Sequence, residues 1–349
     1  MEYRVASISY DRRNFFAHKH EQVFEAAQAR NAKVTFARSG GQTLFLPNTE
    51  FSELEIFVEG QLTVYKHKGD LVGEYSYGGD FLSVSRCDCL ISNFTDSFKN
   101  FYIDDAISFL HPGAYNIHHF FFEVLPVIYV NRNELRNRPV LVPTTSGGGK
   151  FFSEFNKLLN LNIEFIEVPL KSIVRGKNIK VYGTFPFRIY PVGVVEELRT
   201  VIWDFLSNHR ITPSNSIVYV GRGDTERNRR KILNETELFK SLDQLGVNYS
   251  IVRPGLSSLQ ETIRELMDAE LIIGPTGGAL FHQIWSRNIK TLIELKPIRY
   301  ESMTESEELS KFFGYNYAEI PTYPDSNEFW SHSNQNVDLQ LFSKMIELF

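Results

Sequence analysis

The sequence predicts a mixed α/β chain of two domains, with a strand-rich N-terminal portion and a second domain built on a parallel sheet. Three observations predict it. A chain of 349 residues is long enough for two cores. Short apolar runs alternate with helix-like stretches from about Pro139 onward, whereas the first third alternates apolar and polar residues at strand spacing.

Leu62 to Tyr65 and Leu71 to Tyr77 carry that strand alternation between glycine-containing turns. Val140 to Val142 and Ile163 to Val168 follow as apolar strands separated by a helix over 151–159, the rhythm of β-α-β units. Gly183 to Pro191 is a proline- and aromatic-containing stretch, and it leads into a helix with Val195, Leu198, Ile202 and Phe205 on one face. The domain crossing is placed there, giving domains 1–190 and 191–330 and a terminal helix over 331–349.

The second half is the more regular. Strand Ser216–Val220 precedes a helix signalled by Asn234 at the N-cap and Glu237 at N3, which stops at Gly246. Strand Val247–Val252, a helix opened by the Ser258 and Glu261 capping box, and strand Leu271–Gly274 come next. Gly277 then opens a helix to about Arg287, strand Thr291–Leu295 follows, and Thr304 with Glu307 caps a helix that Gly314 ends. Four strands alternating with helices define a parallel, Rossmann-like domain. The tail places Leu339, Phe342, Ile346 and Phe349 on one helical face; with Lys344 as its one cation it is expected to pack back on the first domain rather than on a membrane.

Composition narrows the function. A formal net charge of −5 argues against a protein that coats nucleic acid, so any anion is held by a local patch. Cys87 and Cys89 are too few for a zinc site and too close for a disulfide framework, which suits a reducing compartment. The charges in MEYRVASISYDRRNFF predict no signal peptide, and no apolar window is long enough to span a bilayer, so a cytoplasmic location is expected. Most of the 29 Phe and 16 Tyr are expected in the core, with a few lining a groove. Ser146 to Lys150 lacks the first glycine of a phosphate loop, where Thr144 stands, and reads as a turn.

Three constellations could carry chemistry. In Gly221 to Lys231, just after a parallel strand, five basic residues including Arg222, Arg229 and Arg230 could grip a diphosphate; otherwise the loop is a solvated charged loop. Gly274 to Leu280 sets Gly277 and Gly278 at a strand-to-helix turn, where close backbone approach and a helix N-terminus favour phosphate; such a turn also serves helix packing alone. Glu294, ending the next strand, either accepts from ribose hydroxyls or faces solvent. In Asn116 to Pro126, read as a helix, His119 and Glu123 share a face four residues apart, and either could take a proton from a hydroxyl. The alternative is a satisfied core histidine among phenylalanines. His118 and His119 point in different directions on a helix and have no third ligand in sight, so no metal site is read there.

In this order the three pieces resemble glycosyltransferase family 61. Asn116, His119, Glu123, Leu125 and Pro126 match its N-x-x-H-x-x-x-[D/E]-x-L-P pattern. Arg222, Asp224, Arg229 or Arg230, Asn234 and Glu235 are similar to its basic segment, and Gly274, Gly277, Leu280 and Glu294 to its glycine turn and following strand. The likeness covers about residues 110 to 297, and its one departure is Thr276 where the family has histidine. The resemblance implies a GT-B fold, two Rossmann-like domains facing across a cleft, and an inverting, metal-independent transfer without cofactor. The donor, a nucleotide sugar, would meet Arg222, Arg229, Arg230, Asn234, Thr276, Gly277, Gly278 and Glu294. Asn116 and His118 would meet the acceptor, with His119 or Glu123 as base. The implied acceptor is an oligosaccharide or polysaccharide of a growing surface glycan or its lipid-linked precursor, with at most peripheral membrane association. The competing classes are a pyruvyl or phosphosugar transferase and a non-catalytic sugar- or nucleotide-binding protein.

Overall fold

The computed structural model describes residues 5–6, 37–39, 42–44, 49–59, 62–67, 70–76, 98–110, 114, 116–144, 148–182, 190–208, 216–222, 231–298, 304–325 and 333–348. Cys87, Cys89, Asp224, Arg229 and Arg230 lie outside them. The chain divides into two compact units, Met1–Val201 and Ile202–Phe349.

In the first unit, β1 (Val5–Ala6) pairs with β12 (Tyr190–Pro191), and β2 (Ala37–Ser39) with β3 (Gln42–Leu44). The main sheet is built from β4 (Thr49–Phe51), β5 (Leu54–Glu59), β6 (Leu62–His67), β7 (Asp70–Ser76) and β8 (Lys99–Ser108). It also takes in β9 (Val140–Pro143), β10 (Phe165–Val168) and β11 (Ser172–Val181). Their order is β10-β9-β8-β11-β5-β6-β7, with β4 alongside β11. The run from β10 to β11 is parallel, but β11, β5, β6 and β7 pair antiparallel, so this unit is mixed rather than purely Rossmann-like. The strand-rich N-terminal portion is thus part of the same sheet, because β5 shares its long edge with β11. Ile56, Ala106, Val174 and Val181 join one buried cluster from three of these strands. Gly148 to Lys150, expected as a turn, form the first turn of the helix Gly148–Leu158.

The second unit follows the expected alternation. Strands β13 (Ile217–Val220), β14 (Tyr249–Val252), β15 (Leu271–Pro275), β16 (Thr291–Pro297), β17 (Asn316–Pro324) and β18 (Gln335–Val337) take the order β14-β13-β15-β16-β17-β18. All neighbours are parallel except β17 and β18. The chain steps from β13 to one side as β14 and then to the other as β15, which makes a topological switch point beyond the carboxyl ends of β13 and β15. Ser258 and Glu261 form the full capping box of the helix Leu259–Leu266, and Gly314 ends the helix Glu305–Phe313 at φ 79°. At Thr304 the hydroxyl instead reaches Glu308 Oε1 at 2.6 Å, and no side-chain cap forms.

Two expectations are corrected here. The terminal helix Leu339–Ile346 buries Phe342 and Ile346 in the core of the second unit, with Leu238 and Leu242 of the helix Glu235–Gln244, not on the first domain. Asn234 precedes that second helix but makes no side-chain cap; it donates to Val337 O and accepts from Val337 N, both at 2.9 Å. An asparagine amide can complete a strand edge as well as a helix end, and β18 offers two backbone groups at once. These two bonds add to the β17–β18 pairing and to the burial of Phe342 and Ile346 in holding the C-terminal strand and helix to this unit.

Candidate active site

The histidine segment is helical but not uniformly so. Asn116, extended at φ −98° and ψ 122°, is the N-cap of the turn Ile117–His119: its Oδ1 accepts from His118 N at 3.0 Å. Phe120–Val124 then winds as a π turn, with Leu125 N bonded to Phe120 O, before the helix Leu125–Val130 resumes. Pro126, having no N–H, cannot continue the ordinary ladder back from the first turn of that helix, which suits a register change at this point. Phe120, Phe121 and Phe122 are buried, Phe120 against Phe152 and Phe155.

The buried phenylalanines lie between His119 and Glu123 in the chain and anchor the segment that carries both. Nδ1 of His119 lies 2.6 Å from Glu123 Oε1; since the carboxylate only accepts, Nδ1 carries the hydrogen and the basic lone pair is set on Nε2. His119 is 6% exposed and Glu123 2%. A core histidine would share that burial but would not need a carboxylate, whose desolvation costs several kcal/mol. His118 is half-buried, edge-on to Phe122 with ring centroids 5.4 Å apart; burial, and secondarily His119, pulls its imidazole down to about 3. It is therefore neutral near pH 7 and cannot serve as a cation. Asn116, expected to touch acceptor, has its carbonyl oxygen committed to the cap.

The second group sits at the switch point of the other unit. Arg222, two residues beyond β13, donates from Nη2 to Thr276 O, one residue beyond β15, at 2.6 Å. The two strand ends brought together are therefore those bounding the crevice where parallel sheets bind ligands. A cavity of about 350 Å³ opens beside them, lined by Arg222, Lys231, Arg253, Glu235, Pro275 and Leu256 among others. Three cations face one carboxylate there, and Arg253 pairs with Glu235 at 2.5 Å. Gly221 makes room for that pair: a Cβ on it would lie 3.3 Å from both Arg253 Nε and Glu235 Oε1.

Other predicted donor residues divide. Gly277 has φ 129°, the conformation that favours glycine, and Gly278 is exposed in the same turn. The helix expected to open there does not form; a six-residue 3-10 helix, Leu280–Trp285, starts later, and all six of its residues are buried. Gly277 at positive φ and Gly278 after it disfavour an α-helix at that point. Gly274 serves packing, since a Cβ there would come within 2.7 Å of Val220 O. His282 does not take the place of the missing family histidine: it is buried, with Nδ1 accepting from Trp285 Nε1 at 2.9 Å.

Glu294 does not face solvent. It is 2% exposed, accepts from Tyr317 at 2.6 Å, and its carboxyl is raised by burial against the Tyr317 and Thr276 hydroxyls. Sequence reasoning missed Arg253, although it follows strand Val247–Val252 just as Arg222 follows β13; the same carboxyl-end rule would have found it. Among the described residues no three His, Cys, Asp or Glu side chains cluster to hold a metal ion, and no helix is long and apolar enough to cross a membrane.

A parallel sheet with a cationic switch point, and a buried imidazole–carboxylate pair in a separate unit, fit a glycosyltransferase. The model of Glycosyltransferase 61 matches residues 117–293, just over half of the chain, and the protein belongs to that family. The match spans both constellations. No curated protein matches the chain. Among solved structures, rubredoxin oxygen:oxidoreductase from the anaerobe Desulfovibrio gigas is 11% identical at a TM-score of 0.27, over 50% of this chain and 42% of its own. This chain thus spans less than half of the oxidoreductase. The dodecameric iron-containing heptosyltransferase TibC, solved with ADP-D-β-D-heptose, is 10% identical at a TM-score of 0.30, over 75% and 77%. At such TM-scores neither likeness carries an argument about this chain.

Proposed function

We propose that the protein moves a sugar from a nucleotide-sugar donor to a hydroxyl of an oligosaccharide or polysaccharide, with inversion and without a metal ion. The observation that carries this reading is the Arg222–Thr276 contact across the switch point, with Lys231 and Arg253 lining the adjoining cavity. In the reaction the acceptor oxygen attacks the anomeric carbon, and the carbon–oxygen bond to the diphosphate breaks on the opposite side. The acceptor proton passes to Nε2 of His119, while Glu123 holds the ring and stabilises the imidazolium. Arg222, Lys231 and Arg253 offset the charge that develops on the leaving diphosphate, the task a divalent ion performs elsewhere. A single displacement inverts the anomeric centre.

This reading assigns the base role to His119 and the positioning role to Glu123, and gives the diphosphate Arg253 and Lys231 beside the expected Arg222, Arg229 and Arg230. It includes the GT-B arrangement, with acceptor on the first unit and donor on the second, and a lipid-linked or growing surface glycan as acceptor at the cytoplasmic membrane face. Incubation with a panel of nucleotide sugars, with and without EDTA, tests it by the release of nucleoside diphosphate. Release from one donor, unchanged by EDTA, is expected. No release from any donor, with or without added acceptor glycans, would favour the pyruvyl or phosphosugar transferase instead.

A further inference from the structure

The first unit carries a second groove, of about 360 Å³, on the face of its sheet formed by β5, β8 and β11. Register sets Glu55, Arg175 and Tyr102 side by side in one row across these strands. Alternation along β8 turns Phe101 and Ile103 to the core and Tyr102 outward, where it is 76% exposed. These are inner strands of the sheet, so the polar side chains are not guarding an edge from pairing. A parallel region is ordinarily covered on both faces, and a bare tyrosine in its middle is out of keeping with that.

The groups around Tyr102 are held in a fixed frame. Arg175 Nε donates to Glu55 Oε1 at 2.8 Å, its Nη1 donates to Asn100 Oδ1, and its guanidinium carbon lies 6.0 Å from the Tyr102 ring centre. Lys177 pairs with Asp104 at 2.9 Å. The Lys177–Asp104 pair is exposed and the Arg175–Glu55 pair half-exposed, and surface pairs of this kind add little to stability. Their carboxylates and amino groups keep unused hydrogen-bonding positions.

We propose that this face is a glycan-binding platform, on which Tyr102 stacks against the C–H face of a neutral sugar ring while Arg175, Glu55, Asp104 and Lys177 bond its hydroxyls. Charge decides the ligand class: Glu53, Glu55 and Asp104 offset Arg175 and Lys177, which disfavours phosphates, nucleotides and anionic lipid surfaces. A protein partner would need a wider apolar centre than one aromatic ring. The ligand class rests on the acceptor being a glycan, and the platform would hold sugars of that chain away from the reacting end.

The test is calorimetric titration with cellohexaose, xylohexaose, maltohexaose and chitohexaose against the full chain, Tyr102→Ala, Tyr102→Trp and Arg175→Ala. At least one hexasaccharide should bind, about tenfold or more weaker to Tyr102→Ala, with binding kept in Tyr102→Trp and weakened in Arg175→Ala. Unchanged melting temperatures are expected, because Tyr102 is exposed. Equal binding to the wild type and Tyr102→Ala, or no binding of any hexasaccharide, would overturn the platform. Nucleoside diphosphate release measured on the same preparations shows separately whether the transferase reading stands.

Discussion

Replacing Glu123 by Gln separates the chemistry of the buried pair from its packing. The substitution conserves shape, and the amide oxygen can still accept from His119 Nδ1 at a position now 2.6 Å away. Folding exchanges a charge-assisted bond, worth about 1.5–3 kcal/mol, for a neutral one of about 0.5–1.5, a loss of about 1 kcal/mol. If His119 is the base, as proposed, catalysis loses more, because the imidazolium formed on proton transfer would no longer face a carboxylate. General acid–base steps contribute about 10²- to 10⁴-fold, so kcat should fall at least about a hundredfold, equivalent to about 2.7 kcal/mol. Donor KM should stay near the wild-type value, since the proposed function assigns the donor to the other unit. Urea melts together with nucleoside diphosphate release measure both quantities. A folded variant with kcat within threefold of wild type would refute the reasoning and return His119 to the core.

Asn116→Ala removes the cap bond to His118 N and should cost about 1 kcal/mol in a urea melt, whereas Asn116→Ser, which keeps an acceptor, should recover most of it. Equal losses would place the role of Asn116 elsewhere. Because the His118 imidazole is pulled down to about 3, His118→Gln should leave the acid limb of the pH–rate profile between pH 5 and 7 where it is; a displaced limb would contradict this. Glu294 has a carboxyl raised by burial, so its ionised form destabilises the fold: the penalty is absent below the ordinary 4.5 and full above the raised value. Glu294→Gln should accordingly melt above the wild type at pH 8, with a gap that closes as pH falls to 4.5. A gap independent of pH would contradict that sign.

What the sequence made legible was local. The Ser258–Glu261 box, the left-handed Gly314 and the four-residue spacing of His119 and Glu123 depend on neighbours within one turn, and each is found as read. What it hid depends on partners distant in the chain. Asn234 looked like a cap until Val337, 103 residues on, supplied better partners. Glu294 reads as a strand-end carboxylate, but its hydrogen-bond partner Tyr317 comes from β17, 23 residues on. The apolar stripe of the last helix showed that it packs but not against what, and β13, β15, β16 and the helix Glu235–Gln244 provided the surface. Arg253 belongs to the candidate site only because β14 lies beside β13. The π turn at Phe120–Val124 left no mark in periodicity, since both windings keep His119 and Glu123 on one side.

The central claim is that the cations at the β13–β15 switch point hold a nucleoside diphosphate. A thermal-shift screen of the full chain against nucleoside mono- and diphosphates, with and without EDTA, measures it directly, because a ligand that binds only the native state raises the melting temperature. Stabilisation by one nucleoside diphosphate, indifferent to EDTA, is expected. That shift should be lost in Arg222→Ala and weakened in Arg253→Ala. A shift that survives in both variants, or no shift with any nucleotide, would contradict it.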